Sequence, residues 1–173
     1  MDIFAHTASG MLLGRAFQPA GPNWRSFLAF GAIAGILPDL DLPIALLGHD
    51  AWFRWHQVLT HSLPGLIFLP LLPALIPFGI PSFKTRYFLA LSGWTVHVCL
   101  DLAARWPVPL LWPLSDQRWT FRLIRADFSW IIDMLLLIGL ALSLWEPAIR
   151  HGRRIAVATF AGVAAWLLLG FPT

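Results

Sequence analysis

The stretch Phe27–Leu47 reads FLAFGAIAGILPDLDLPIALL, and two of its properties decide the fold. From Phe27 to Leu37 it carries no polar side chain, and after Asp41 it is apolar again to Leu47. A helix needs roughly 20 apolar residues to cross the hydrocarbon core of a bilayer, so this stretch is expected to be a membrane span. Its polar residues are confined to Pro38-Asp39-Leu40-Asp41. Proline disfavours helix at the residue before it, which predicts that both carboxylates stand where the span ends.

Working outward, the same test predicts spans at Leu63–Pro81, Tyr87–Ala104, Ser129–Trp145 and Ile155–Phe171. With Phe27–Leu47 this makes about five crossings. Ile3–Phe17 is helical in pattern but short, a tilted or half-inserted segment packed against the others. Gly10 and Gly14 within it would let another helix approach closely. Pro64, Pro70, Pro73, Pro77 and Pro81 each remove a backbone donor, so the second span should be kinked or partly broken. The fold expected is all-α, a polytopic membrane helical bundle forming a single integral membrane domain over residues 1–173.

Composition agrees. The chain is 58% hydrophobic and 12% charged, with a mean hydropathy of +0.70. A soluble protein of this length would need far more charge to coat its surface. The apolar runs lack the period-2 alternation of a membrane barrel. The formal charge of +3 comes from scattered arginines rather than a basic stripe, so no nucleic-acid partner is expected. Cys99, alone of its kind, excludes an internal disulfide and a cysteine-rich metal site. Met1-Asp2-Ile3-Phe4-Ala5-His6 has no basic leader and no small-residue cleavage site follows, so the N-terminus is expected to be retained.

Alternating spans assign each connection to one membrane face. Arg15, Arg25, Lys84, Arg86, Arg150, Arg153 and Arg154 fall on one side with Glu146. The other side receives Arg54, Arg105, Arg118, Arg122 and Arg125, with Asp39, Asp41, Asp50, Asp101, Asp116, Asp127 and Asp133. It also receives His49, His56, His61 and His97, and His6 if the short N-terminal helix runs toward the basic side. The loop Arg105–Phe128, with Trp106, Trp112 and Trp119, suits the headgroup layer. The cation-richer face belongs in the cytoplasm by the positive-inside rule. In a bacterial inner (plasma) membrane the histidines and aspartates would then face the periplasm or exterior.

Ionisable groups are costly at membrane depth, so their convergence calls for a role. His97-Val98-Cys99-Leu100-Asp101 stacks an imidazole and a carboxylate on one helix face. The pair suits a divalent cation such as zinc, or equally a buried hydrogen bond joining helices. Asp39 and Asp41 offer hard oxygen ligands able to hold or bridge metal ions. Trp55-His56 and Thr60-His61-Ser62 open the second span, and His49 and His151 read as interfacial anchors. Asp133 lies inside an apolar run and needs a partner at its own level. Asp116 reads as a structural hydrogen-bonding residue. No serine-hydrolase elbow, Walker loop or dinucleotide-binding motif occurs.

The order Pro38-Asp39-Leu40-Asp41, His56, Thr60-His61-Ser62, His97-x-x-x-Asp101, Trp112-Pro113-Leu114-Ser115-Asp116 and Asp133 resembles the YdjM family, described as membrane-bound metal-dependent hydrolases. The resemblance covers His6 to Asp133. Members similar to it usually read His-Arg-Gly before Thr-His-Ser, whereas His56-Gln57-Val58-Leu59 stands here. More distantly, His6, Asp39, His61 and His97-x-x-x-Asp101 resemble the ligand order of zinc-dependent phospholipase C and its related zinc nucleases. That likeness implies more than one zinc ion, although their later His-x-x-x-Glu pair has no counterpart.

These resemblances imply a metal-dependent hydrolase acting on a phosphoester of a lipid or lipid-linked molecule. Its metal shell and immediate support would be His6, Asp39, Asp41, His56, His61, His97, Asp101 and Asp133, with Asp41 and Asp133 as catalytic candidates. Its partners would be membrane lipid and a lipid or lipid-linked small-molecule substrate. Two other classes stay open: a transporter or channel for protons or metal ions, and a non-catalytic membrane scaffold glued by polar contacts.

Overall fold

The structure, a computed structural model, describes residues 3–18, 23–104, 106–124, 129–145 and 151–169. Those residues are helical and contain no strand beyond a single antiparallel bridge between Val108 and Trp119. The helices are α1 (Ile3–Phe17), α2 (Trp24–Ile36), a 3-10 stretch (Leu37–Leu47), α3 (His49–Trp55), α4 (Leu63–Phe68), α5 (Leu71–Ala74), α6 (Phe83–Ala103), α7 (Ser129–Leu144) and α8 (Gly152–Leu169). Glu146, Arg105, Arg125, Asp127 and Arg150, sorted by face above, lie outside the described residues, as does the end of the last expected span.

Among the described residues two helical stretches are long and apolar enough to cross a bilayer: Trp24–Leu47, of 24 residues, and Gly152–Leu169, of 18 residues. Leu63–Ala74 and Ser129–Leu144 are shorter apolar helices. The first long stretch is not one regular α-helix. Pro38 and Pro43 lack amide donors, and the backbone from Leu37 onward tightens into 3-10 geometry, which sets Asp39 and Asp41 in a compact turn. Much of the outer surface is apolar: Leu46, Leu47, Leu72, Leu114, Leu168 and Leu169 are exposed. Water disfavours such a surface, and lipid accepts it. Cys99 is exposed on this same surface.

The centre of the bundle is the antiparallel pair α1 and α2. A Cβ added at Gly10 would collide with the carbonyl of Gly31, and one at Gly14 with that of Phe27. The collisions are reciprocal, Gly31 against Gly10 and Gly35 against His6. The approach expected of Gly10 and Gly14 is therefore made against Gly31 and Gly35, whose matching four-residue spacing opens the facing groove. Helix α6 runs parallel to α2, with Gly93 against Ala34. Helix α7 lies beside α1, so Ile132 and Leu136 share a core with Ala5, Ala8 and Leu12. This pairing brings the start of α1, the end of α2 and the end of α6 to one level.

The proline-rich second segment breaks as its sequence predicts, into α4 and α5. Ser62 caps α4, its hydroxyl accepting from Gly65 N at 3.1 Å, a structural use of the serine beside His61. The carbonyls left open by the prolines are met by Arg86, which is buried. Its Nε donates to Ala74 O at 2.7 Å, and its Nη1 donates to Ile80 O and, at 3.0 Å, to Pro81 O. Arg15 is likewise buried, donating to Gln18 and to Ser143 O. Both arginines, counted above as topology charges, hold carbonyls rather than headgroups. Arg86→Ala strands several buried carbonyls at once and should cost about 2–4 kcal/mol. A thermal unfolding midpoint in detergent close to that of the wild type would contradict this account.

Candidate metal centre

Four side chains from three parts of the chain meet at that common level. Asp39 comes from the 3-10 stretch, His61 from the turn before α4, and His97 and Asp101 from successive turns of α6. Each offers one ligand atom, and these atoms all lie within 4.8 Å of one another. His61 Nε2 and His97 Nε2 are 3.2 Å apart. Asp101 Oδ2 lies 3.3 Å from His61 Nε2 and 3.5 Å from His97 Nε2. Asp39 Oδ1 lies 3.4 Å from His97 Nε2 and 3.9 Å from His61 Nε2. His61, His97 and Asp101 are buried, and Asp39 is partly so.

The tautomers follow from the outer hydrogen bonds. His97 Nδ1 is 2.7 Å from Gly35 O, and a carbonyl only accepts, so Nδ1 carries the proton. The Thr60 hydroxyl donates its one hydrogen to Asp41 Oδ2 at 3.1 Å, and therefore accepts from His61 Nδ1 at 2.9 Å. Burial pushes the His61 imidazole below its ordinary pKa, which keeps it neutral. The bare Nε2 lone pair of His61 then faces His97 Nε2, a contact that needs a proton or a metal cation between the two rings.

A divalent cation fits this donor set. Tetrahedral zinc, with Zn–N of about 2.0–2.1 Å, keeps its ligand atoms about 3.3–3.4 Å apart, close to the separations just given. Outer hydrogen bonds that fix the tautomer are also what metal-bound histidines use. His6 adds a further observation. Its ring stacks on His97 with centroids 3.6 Å apart, and Nε2 faces Asp101 Oδ1 at 3.3 Å. Neither ring nitrogen has a hydrogen bond, although the residue is fully buried. Unsatisfied buried polar atoms are expensive, and the His6 Nε2 that faces Asp101 Oδ1 is turned toward the donor group.

A second donor group, Asp39, Asp41 and His56, adjoins the first through Asp39. The Asp41 oxygens are already engaged: Oδ1 accepts from His56 Nδ1 at 2.9 Å, and Oδ2 from Gln57 N at 2.6 Å and from Thr60. His56 stacks on Trp52 with centroids 3.6 Å apart and lines an open cavity of about 190 Å³. Its Nε2 is left as the unbonded ring nitrogen. Asp133 stands on α7 and belongs to neither donor group. Asp116 and His49 are exposed and belong to neither donor group.

Sequence reading overlooked three neutral residues. Gln57 sits at φ 66, a left-handed conformation that costs a non-glycine residue about 1–2 kcal/mol. This turn aims its amide at Asp41 and brings its side chain to Asp101 Oδ2 at 3.2 Å. Its residue type and charge gave no signal. Thr60 orients His61, and Trp94 Nε1 holds Thr60 O at 2.7 Å. Neither carries charge, so nothing in composition marked them.

Comparison with curated proteins and with solved structures gives no match. A family model described as YdjM inner membrane protein matches residues 1–172, and with a bundle of apolar helices and a buried histidine-aspartate cluster at one end, the chain belongs to that family.

Proposed function

We propose that this protein is a membrane-bound, metal-dependent hydrolase acting on a phosphoester of a lipid or lipid-linked substrate. The observation that carries the reading is the facing pair of Nε2 atoms of His61 and His97, 3.2 Å apart and flanked by the Asp39 and Asp101 oxygens. Those four residues would hold the cation, with His6 beside them, and zinc suits the mixed nitrogen and oxygen donors. When bound, the cation supplies Lewis-acid polarisation and a source of nucleophilic water. Asp39, common to both donor groups, would also contribute to holding a second ion.

The remaining roles belong to the chain's own side chains. Gly35 and Thr60 fix the ligand tautomers, and Gln57 holds Asp101. Asp41 orients His56, whose free Nε2 on the cavity side is placed to hold or move a proton during hydrolysis. Asp133, outside both donor groups, has no part in this reading. We also read α2 with its 3-10 stretch, α4 with α5, α6, α7 and α8 as five crossings. On that topology Arg25, Lys84, Arg153 and Arg154 mark the cytoplasmic side and the centre faces the periplasm.

The test is metal content and phosphatase activity of the detergent-purified chain. Stoichiometric zinc is expected, with hydrolysis of a short-chain phosphatidic acid lost on chelation and restored by zinc. Protein that carries no metal, and that behaves the same after His97→Ala, would sink the proposal. Zinc or proton flux in reconstituted vesicles without hydrolysis would make the cluster part of a transport path instead.

A further inference from the structure

The long loop between α6 and α7 is built onto the mouth of this centre. Phe121 N and Ile124 N bond the last carbonyls of α6, Leu102 O at 2.7 Å and Ala103 O at 2.9 Å. Val108 and Trp119 exchange a pair of 2.8 Å backbone bonds, and Leu63 N bonds Leu110 O, also at 2.8 Å. The loop therefore has a fixed seat, and that seat carries Arg118.

Arg118 lines two neighbouring cavities. One, of about 190 Å³, is walled by Trp52, His56, Gln57, Trp106 and Pro107. The other, of about 350 Å³, is walled by Arg54, Trp55, Val58, Pro109, Trp112 and Asp116. The guanidinium is positioned by carbonyls, Nη1 donating to Pro107 O at 3.2 Å and Nη2 reaching His56 O at 3.5 Å. Among the described residues neither Arg118 nor Arg54 forms an ion pair, although Asp116 shares their cavity. Two cations thus line these cavities without an ion pair, beside the exposed Asp116, and one of them reaches the backbone of His56. Tryptophans flank both, the side chain that proteins favour where a polar head meets an apolar tail.

We propose that Arg118, supported by Arg54, forms an anion subsite that seats the phosphate head of an amphiphilic substrate beside the metal centre, with Trp52 and Trp106 against the adjoining apolar part. Guanidinium forks match phosphate oxygens in geometry and charge. The catalytic meaning of this subsite rests on the hydrolase reading above, but its binding function does not.

The experiment is a tryptophan-fluorescence titration of the full-length chain in neutral detergent, with zinc content measured on the same samples. Dihexanoyl phosphatidic acid is the amphiphilic probe, inorganic phosphate the free anion and dihexanoylglycerol the uncharged control. Wild-type protein should prefer phosphatidic acid to both. Arg118→Gln should weaken it by about 10-fold to 100-fold, the loss expected for hydrogen bonds to a charged group. Arg54→Gln should weaken it less, and Arg118→Lys should recover part of the loss, all with wild-type zinc content. Unchanged affinity in Arg118→Gln, or equal affinity for dihexanoylglycerol, overturns the subsite. Inorganic phosphate binding as tightly as phosphatidic acid overturns its amphiphile selectivity. Zinc-free wild-type protein would overturn the hydrolase reading alone.

Discussion

Asp101→Asn will bind zinc about two to three orders of magnitude more weakly than the wild-type chain, since removing one partner of a buried charged set costs about 3–5 kcal/mol. Asp101 is 2% exposed and touches every part of the cluster: His6, His61 and His97 lie within 3.5 Å of its oxygens, and Gln57 donates to it. Asparagine keeps the shape and removes the charge. It also places an amide donor near the His61 and His97 Nε2 atoms, which stabilises the metal-free form. The prediction therefore has two halves. Affinity, read by titration against a competing chelator, should fall steeply. The gap in unfolding temperature between zinc-loaded and chelated protein, which measures binding to the native state, should shrink toward zero. A cluster serving only as helix glue behaves differently: its stability would drop by the same amount with and without zinc, and wild type would show no gap. Asp39→Asn should have the same sign and a smaller size, because Asp39 is more exposed and stands farther from His61.

Much of this was legible in the residues, for definite physical reasons. Long apolar runs report helices because lipid leaves the backbone no other partner, and Phe27–Leu47, Tyr87–Ala104 and Ser129–Trp145 fall within a few residues of the helices observed. Prolines report broken helix directly, hence α4 and α5. Charged and titratable side chains are rare at this depth, so His61, His97, Asp39 and Asp101 stood out before any geometry was available. What the residues concealed is how those groups are held. Gly35 contributes a carbonyl, which every residue has. Gln57, Thr60 and Trp94 are neutral, and their value lies only in a turn whose left-handed bend no pattern announced. Arg15 and Arg86 misled in the opposite direction, since a charge inside a membrane protein and a charge at its surface look alike in sequence. For Asp133, within the apolar run of α7, burial cost was joined only by its place in the family pattern. Cost shows that a carboxylate needs a partner, not which partner it has.

The helix pair that carries the centre gives the other large expected effect. Gly31→Val should leave little folded protein, destabilising it by more than the roughly 1–3 kcal/mol typical of an overpacked core. An ordinary core absorbs an added methyl through rotamer changes in flexible neighbours. Here the new Cβ meets the carbonyl of Gly10, and behind it the backbone of Gly14, so only separation of the two helices makes room. Separation is costly at a distance as well. Gly35, one turn along, bears the carbonyl that orients His97, and α1 carries His6, stacked on His97 from the other side. Packing and metal binding should therefore fail together, with zinc content dropping in whatever fraction remains soluble. Gly162→Ala is the matched control, because a Cβ there meets nothing within 4 Å. It should be neutral or stabilising by up to about 1 kcal/mol through helix propensity. Wild-type melting and zinc content in Gly31→Val would mean that α1 and α2 do not approach backbone to backbone, and the position of His6 over His97 would lose its support.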